Sequence, residues 1–198
     1  MKPTVFFSLF CFILCSCQNE NKTGQSFCEE QAWYNTIAVS DNEDAVMMRL
    51  SAELIPNPEL QAHKDHNAII AFAIDRGLDL KSTHSGLFYI VLDEGVGSKI
   101  DWGDQIAVHY RGSFLDGTLF DSSCRKGEPL ELYVGNVIDG WNEGLQLIGA
   151  GGRVLLLVPS RLAYGEKGLT DGKGKELVPP DRVLLFEIEV VKKLKKSG

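Results

Sequence analysis

Residues 108–123 read VHYRGSFLDGTLFDSS. The stretch predicts a strand ending in Tyr110, a turn at Asp116-Gly117, and a second strand ending in Phe120 and Asp121. An aspartate set directly after large apolar residues is costly to bury unless something donates a hydrogen bond to it. The Tyr110 hydroxyl on the facing strand is a candidate donor, so the hairpin is expected to form part of a site.

Around this hairpin the apolar residues recur with a period of two. Residues 86–92, 105–111, 131–134, 153–158 and 182–191 read as strands separated by Gly, Asp and Pro. In the last of these, Leu184, Phe186, Ile188 and Val190 alternate with Leu185, Glu187 and Glu189, which predicts one buried and one solvated face. Between the strands only residues 141–148 read as helix. The segment is therefore expected to be an antiparallel sheet packed on one short helix.

Upstream the pattern is helical. Ser40 and Glu43 have the spacing of a capping box ahead of Ala45, Val46, Met47, Met48, Leu50 and Leu54, with an end near Pro56. Asn57-Pro58 reads as the cap and first turn of a second helix containing Leu60, Ile70 and Ile74 and stopping at Gly77. Neither helix carries a reactive constellation. Such a segment is a spacer or a cap on the sheet domain, or an arm that dimerises or holds a client.

The first residues form a different object. Lys2 precedes an apolar run from Val5 to Leu14, long enough for a signal-peptide core and short of the roughly 20 residues that span a bilayer. The run ends Leu14-Cys15-Ser16-Cys17, which resembles a bacterial lipobox. That resemblance implies cleavage before Cys17, lipid on its sulfur and an acyl chain on its amino group. The protein would then sit in a bacterial cell envelope, on the outer membrane or at the periplasmic face. A plain cleaved signal and a free secreted protein is the alternative. The polar stretch from Gln18 to Gln25 would serve as a tether. Cys11 and Cys15 would leave with the signal, so Cys28 and Cys124 remain in a compartment that permits disulfides, although sequence cannot bring them within bridging distance.

The chain has 198 residues, 44% of them hydrophobic, enough for one domain with a core and about fifty residues over. Its formal net charge of −7 argues against nucleic acid as a partner, and the terminal KKLKK reads as a solvated tail. His63 and His66 lack further ligands, so no metal is expected. Gly149 to Gly152 lacks the Lys-Ser/Thr of a phosphate loop, and nothing supports a hydrolase.

Four blocks in order, VHYRGSFLDGTLFDSS, PLELYVGNVIDGWNEGL, PSRLAYG and LVPPDRVLLFEIEV, resemble the FKBP-type peptidyl-prolyl cis/trans isomerases over a little more than half of the chain. The resemblance implies an α+β fold, a twisted antiparallel half-barrel wrapped around one short helix, here preceded by the helical segment. It implies a pocket between helix and sheet with Tyr110, Asp121, Ile138 and Tyr164 as the catalytic set. Phe120, Leu130, Val137, Trp141, Val178 and Phe186 would bind substrate, with Trp141 as the floor. Leu130 replaces a phenylalanine common in the family. The resemblance further implies proline-containing polypeptides as substrates, a site able to take macrolide inhibitors, and no cofactor.

Two departures bear on the site. The segment EKGLTDGKGKEL at 166–177 is longer and more charged than the family's compact loop, and Asn136 forms a shortened link before Val137 and Ile138. The expected organisation is a signal at 1–16, a tether at 17–27, the helical segment at 28–81, the isomerase-like domain at 82–192 and the basic tail at 193–198.

Overall fold

The computed structural model describes Phe27, Cys28, Ala32 and residues 42–195. Cys17, the signal, most of the tether and Ser40 lie outside the described residues. Helix α1 spans Glu43–Ala52, with Glu43 and Asp44 in its first turn and Arg49 in its last, charges that complement the helix dipole. Glu43 is thus the first helical residue, too early to close the expected capping box, and Asn42 occupies the cap position. The helix ends at Ala52, earlier than Pro56 suggests. Helix α2 spans Gln61–Asp75. It starts later than Asn57-Pro58 predicts, because Leu60 is still extended, at ψ 143°, and serves as the cap. Gly77, at φ +61°, stops the helix as expected.

The strands are β1 (Lys81–Ser82), β2 (Phe88–Asp93), β3 (Gln105–Ser113), β4 (Leu119–Ser122), β5 (Leu130–Tyr133), β6 (Arg153–Val158), β7 (Leu169–Thr170), β8 (Glu176–Val178) and β9 (Leu184–Lys195). Seven of them form one antiparallel sheet in the order β1-β2-β6-β9-β3-β4, with β5 pairing β3 beside the path. Two short helices lie among them, α3 (Ser123–Lys126) and α4 (Asp139–Gly144), the latter prolonged by a 3₁₀ turn at Leu145–Leu147.

Helix α4 fills the concave face. A Cβ on Gly140 would stand 2.4 Å from Val158 Cγ1, and one on Gly144 would stand 2.5 Å from Leu156 Cδ1. Two glycines four residues apart therefore let the helix press onto β6, with Trp141 and Leu145 buried among Val108, Tyr110, Phe186 and Ile188.

The convex face is covered too, and this corrects the expectation of a wet face on β9. Leu50 of α1 and Ile69, Ile70, Phe72 and Ala73 of α2 pack with Leu155 and Leu157 of β6 and Leu185 of β9. The helical segment is a cap on the sheet, which also explains why β6 reads as an unbroken apolar run. Glu187 and Glu189 are buried beyond the cap's apolar patch, at 1% and 2% exposure, and pair with Arg111 and Arg153.

Two ends of the chain differ from expectation. Phe27 is not tether: it is fully buried, stacked on His109 and lying under Arg111. Next to it Cys28 forms a disulfide with Cys124, fastening the N-terminal region to α3. At the other end β9 runs on to Lys195, and Lys193 pairs at 2.5 Å with Asp104, whose side chain is 2% exposed. A buried carboxylate needs such a partner, so this part of KKLKK is structural and not a free tail.

Candidate functional site

Gly112, with no side chain, opens the site. A Cβ there would meet Phe120 at 2.7 Å and Phe186 at 2.8 Å, so its absence lets both rings close over β3. Phe186 pairs in register with Gly112 on one side and Leu156 on the other, at the centre of the sheet. Tyr110 and Phe186 both meet Trp141 edge to face, with centroids 5.1 Å and 5.2 Å away. Phe120 meets Phe186 in the same way at 5.7 Å. These rings wall a cavity of 450 Å³ lined by Tyr110, Phe120, Asp121, Leu130, Asn136, Val137, Ile138, Trp141, Tyr164 and Phe186.

Asp121 is fixed as an acceptor. It takes a hydrogen bond from the Tyr110 hydroxyl at 2.6 Å and one from the Ser122 N–H at 2.8 Å. Lys126, at the end of α3, donates to the Tyr110 oxygen at 2.8 Å and to Asp121 at 3.3 Å. The carboxylate is only half-buried, with 43% of its side chain exposed, which is less sequestered than its apolar sequence neighbours suggest. Burial alone would raise its pKa; the Tyr110 hydrogen bond and the Lys126 charge outweigh this and hold the carboxyl below the ordinary range. The same Tyr110 bond raises Lys126. Tyr110 is itself pushed up by burial and by its bond to Asp121. The trio therefore carries an anion, a neutral phenol and a cation near neutral pH, a fixed set of dipoles with no proton poised to move.

Donors remain for a ligand. Among the described residues the Ile138 N–H, the Tyr164 hydroxyl and the buried Trp141 indole N–H have no acceptor. Burial and the Asp121 charge raise Tyr164, keeping its proton in place. Ile138 stands at the N-cap of α4, and the link before it is held from beneath. Asn142, 4% exposed, accepts from the Gly135 N–H at 2.7 Å and donates to the Val137 carbonyl at 2.8 Å. The short link at Asn136 is thus braced, and Asn136 lines the cavity.

The family model for FKBP-type peptidyl-prolyl cis-trans isomerase matches residues 97–191. The structure of AtFKBP13 aligns at a TM-score of 0.53 and 38% identity, covering 58% of this chain and 98% of that one. The chain belongs to the FKBP family. A probable FKBP-type peptidyl-prolyl cis-trans isomerase of Haemophilus influenzae is 40% identical over 116 residues, 59% of this chain and 46% of the relative. FkpA from Escherichia coli aligns at a TM-score of 0.57 and 33% identity, covering 76% of this chain and 63% of that one. The chain thus spans about half the length of the curated relatives it matches.

Nine of the ten pocket residues expected from the FKBP blocks line this one cavity. Val178 does not: it is 1% exposed in the core, paired through β8 with Leu169 of β7. The charged segment at 166–177 stands apart from the lining residues. It folds as the β7–β8 hairpin, with its turn closed by Asp171 accepting from the Lys173 and Lys175 N–H groups, and none of it lines the pocket. Lys126, Asn136 and Asn142 join the site without having been expected in it. For Lys126 the signal in the sequence is a cation five residues after Asp121 and directly before Gly127, whose φ of +77° ends α3 and turns the lysine back.

Proposed function

We propose that this FKBP-family chain catalyses the cis/trans rotation of X-Pro bonds in polypeptides of a bacterial cell envelope. The observation that carries the reading is an aromatic cavity whose open hydrogen-bond donors include the Ile138 N–H and the Tyr164 hydroxyl. Rotation about an X-Pro bond breaks amide resonance across a barrier of about 18–20 kcal/mol. No bond to carbon is made or broken. A twisted amide is less conjugated and less polar than a planar one, so a dry aromatic cavity binds it in preference, and that difference in binding is catalysis. At about 1.36 kcal/mol per decade, about 6 kcal/mol of differential binding gives roughly 10⁴-fold.

In this reading Trp141 supports the prolyl ring, Phe186, Tyr110 and Val137 wall it, and Phe120 and Leu130 flank it. The Ile138 N–H and the Tyr164 hydroxyl donate to substrate carbonyls. Asp121, held by Tyr110 and Lys126, faces the cavity as a fixed negative charge. A protease-free prolyl-peptide isomerisation assay tests this. Asp121→Ala is expected to lower kcat/KM by about tenfold, and unchanged turnover in both Asp121→Ala and Phe186→Ala would sink the site.

The envelope location rests on the lipobox-like Leu14-Cys15-Ser16-Cys17 and gains support from the Cys28–Cys124 disulfide, a bond that persists in oxidising compartments. With acyl chains on both the sulfur and the amino group, Cys17 would anchor the chain stably, since one chain alone is marginal. Labelling with radioactive palmitate that disappears in Cys17→Ser is the expected result, and equal labelling of both would remove the anchor.

A further inference from the structure

Tyr164 sits on a segment whose two ends are held by one turn of helix α2, outside the residues that match the family model. At the near end, Asp65 is 2% exposed and its Oδ2 accepts from the Ser160 N–H at 2.8 Å and from the Ser160 hydroxyl at 2.6 Å. Its Oδ1 accepts from Gln61, one helical turn earlier, at 2.7 Å. At the far end Gln61 also donates to the Asp181 carbonyl at 3.3 Å, and the Asp181 N–H donates to the Gly165 carbonyl at 2.9 Å. Asp181 holds φ at +55°, in the left-handed region that aspartate tolerates. Ser160 lies four residues before Tyr164 and Gly165 lies one after it.

A carboxylate buried this deeply is costly unless its lone pairs are filled, and Asp65 fills them with donors from the pocket segment and its own helix. Ordinary cap packing does not need it, since the apolar residues of α1 and α2 already bury the convex face. We propose that Asp65, with Gln61, is a positioning residue for the isomerase site: the helical cap sets where the Tyr164 hydroxyl meets the substrate carbonyl. The inference rests on the reading of Tyr164 as a donor to substrate. It makes the segment before the family domain a working part of the pocket.

The test is a double-mutant cycle on the full chain, read as kcat and KM for a chromogenic prolyl tetrapeptide. Asp65→Ala is expected to lower kcat/KM by about fivefold, and Tyr164→Phe by a similar factor, the worth of one hydrogen bond. The two together are expected to cost little more than Tyr164→Phe alone. Asp65→Asn, which keeps an acceptor for Ser160 but sets its amide N–H₂ against Gln61 Nε2, is expected to restore only part of the activity, because Gln61 cannot turn to accept from it without giving up the Asp181 carbonyl. Should Asp65→Ala fold poorly, Ser160→Ala carries the same cycle with a smaller loss. Losses that multiply independently, or full activity in Asp65→Ala, would overturn the clamp and leave the site standing. Full activity in Tyr164→Phe would overturn the role of Tyr164 and the clamp with it.

Discussion

The two faces of the sheet are buried by different means. On the concave side aromatic rings and glycines let α4 approach until a cavity of 450 Å³ is left, and its polar atoms are kept few and oriented. On the convex side an apolar patch under α1 and α2 gives way to buried ion pairs, Arg111 with Glu187 and Arg153 with Glu189. The ring-lined face carries a single charged lining group, Asp121, held by Tyr110 and Lys126. On the convex face, paired charges are tolerated because they need only hold the N-terminal region in place, and Arg111 does so by donating to the Phe27 carbonyl and covering the Phe27 ring.

Substitutions can break this contrast. The largest effect is expected for Phe186→Ala, which removes a ring touching both Trp141 and Phe120: about 3–5 kcal/mol of stability by denaturant titration, with isomerisation lost as well. Glu187→Ala on the opposite face takes the paired carboxylate from Arg111, which keeps its bond to the Phe27 carbonyl, and should cost about 1–3 kcal/mol while the folded protein keeps its turnover. Equal loss of turnover in the two variants would erase the functional difference between the faces. Replacing Cys28 and Cys124 by serine opens a link across 96 residues and should cost about 2–4 kcal/mol, read as a lower denaturation midpoint.

The smallest effect is a pH dependence. Burial holds the His109 imidazole below its ordinary value, so the unfolded chain takes up a proton that the folded chain resists. Unfolding free energy should therefore be fully present above about pH 6.5 and fall as pH drops through the lowered folded pKa. His109→Gln should flatten that decline; an unchanged slope would place its origin in other groups.

Much of the concave face could be read from the chain. Short apolar or alternating runs bounded by Gly, Asp and Pro marked the main strands, with 153–158 matching β6 end to end, and the FKBP blocks brought together every expected pocket residue except Val178. Val178 was misplaced because an apolar residue beside two prolines looks the same in a pocket wall and in the core. The convex face was far less legible. Glu187 and Glu189 have the pattern of solvated positions, and only the arrival of Arg111 and Arg153 from other strands turns them into buried partners. Lys193 was read as tail for the same reason, since its partner Asp104 lies far away in sequence.

Sequence by itself determined the main strands, the presence of one short helix among them, and most of the residues around the cavity. These depend on local period and on side-chain types that one element brings as a set. Tertiary structure alone decided that the helical segment caps the sheet, that Cys28 meets Cys124 across 96 residues, and that Asp65 reaches Ser160 across 95. Contacts of that span are fixed by how two apolar faces dock, and a carboxylate or thiol carries no local mark of the partner that docking will bring to it.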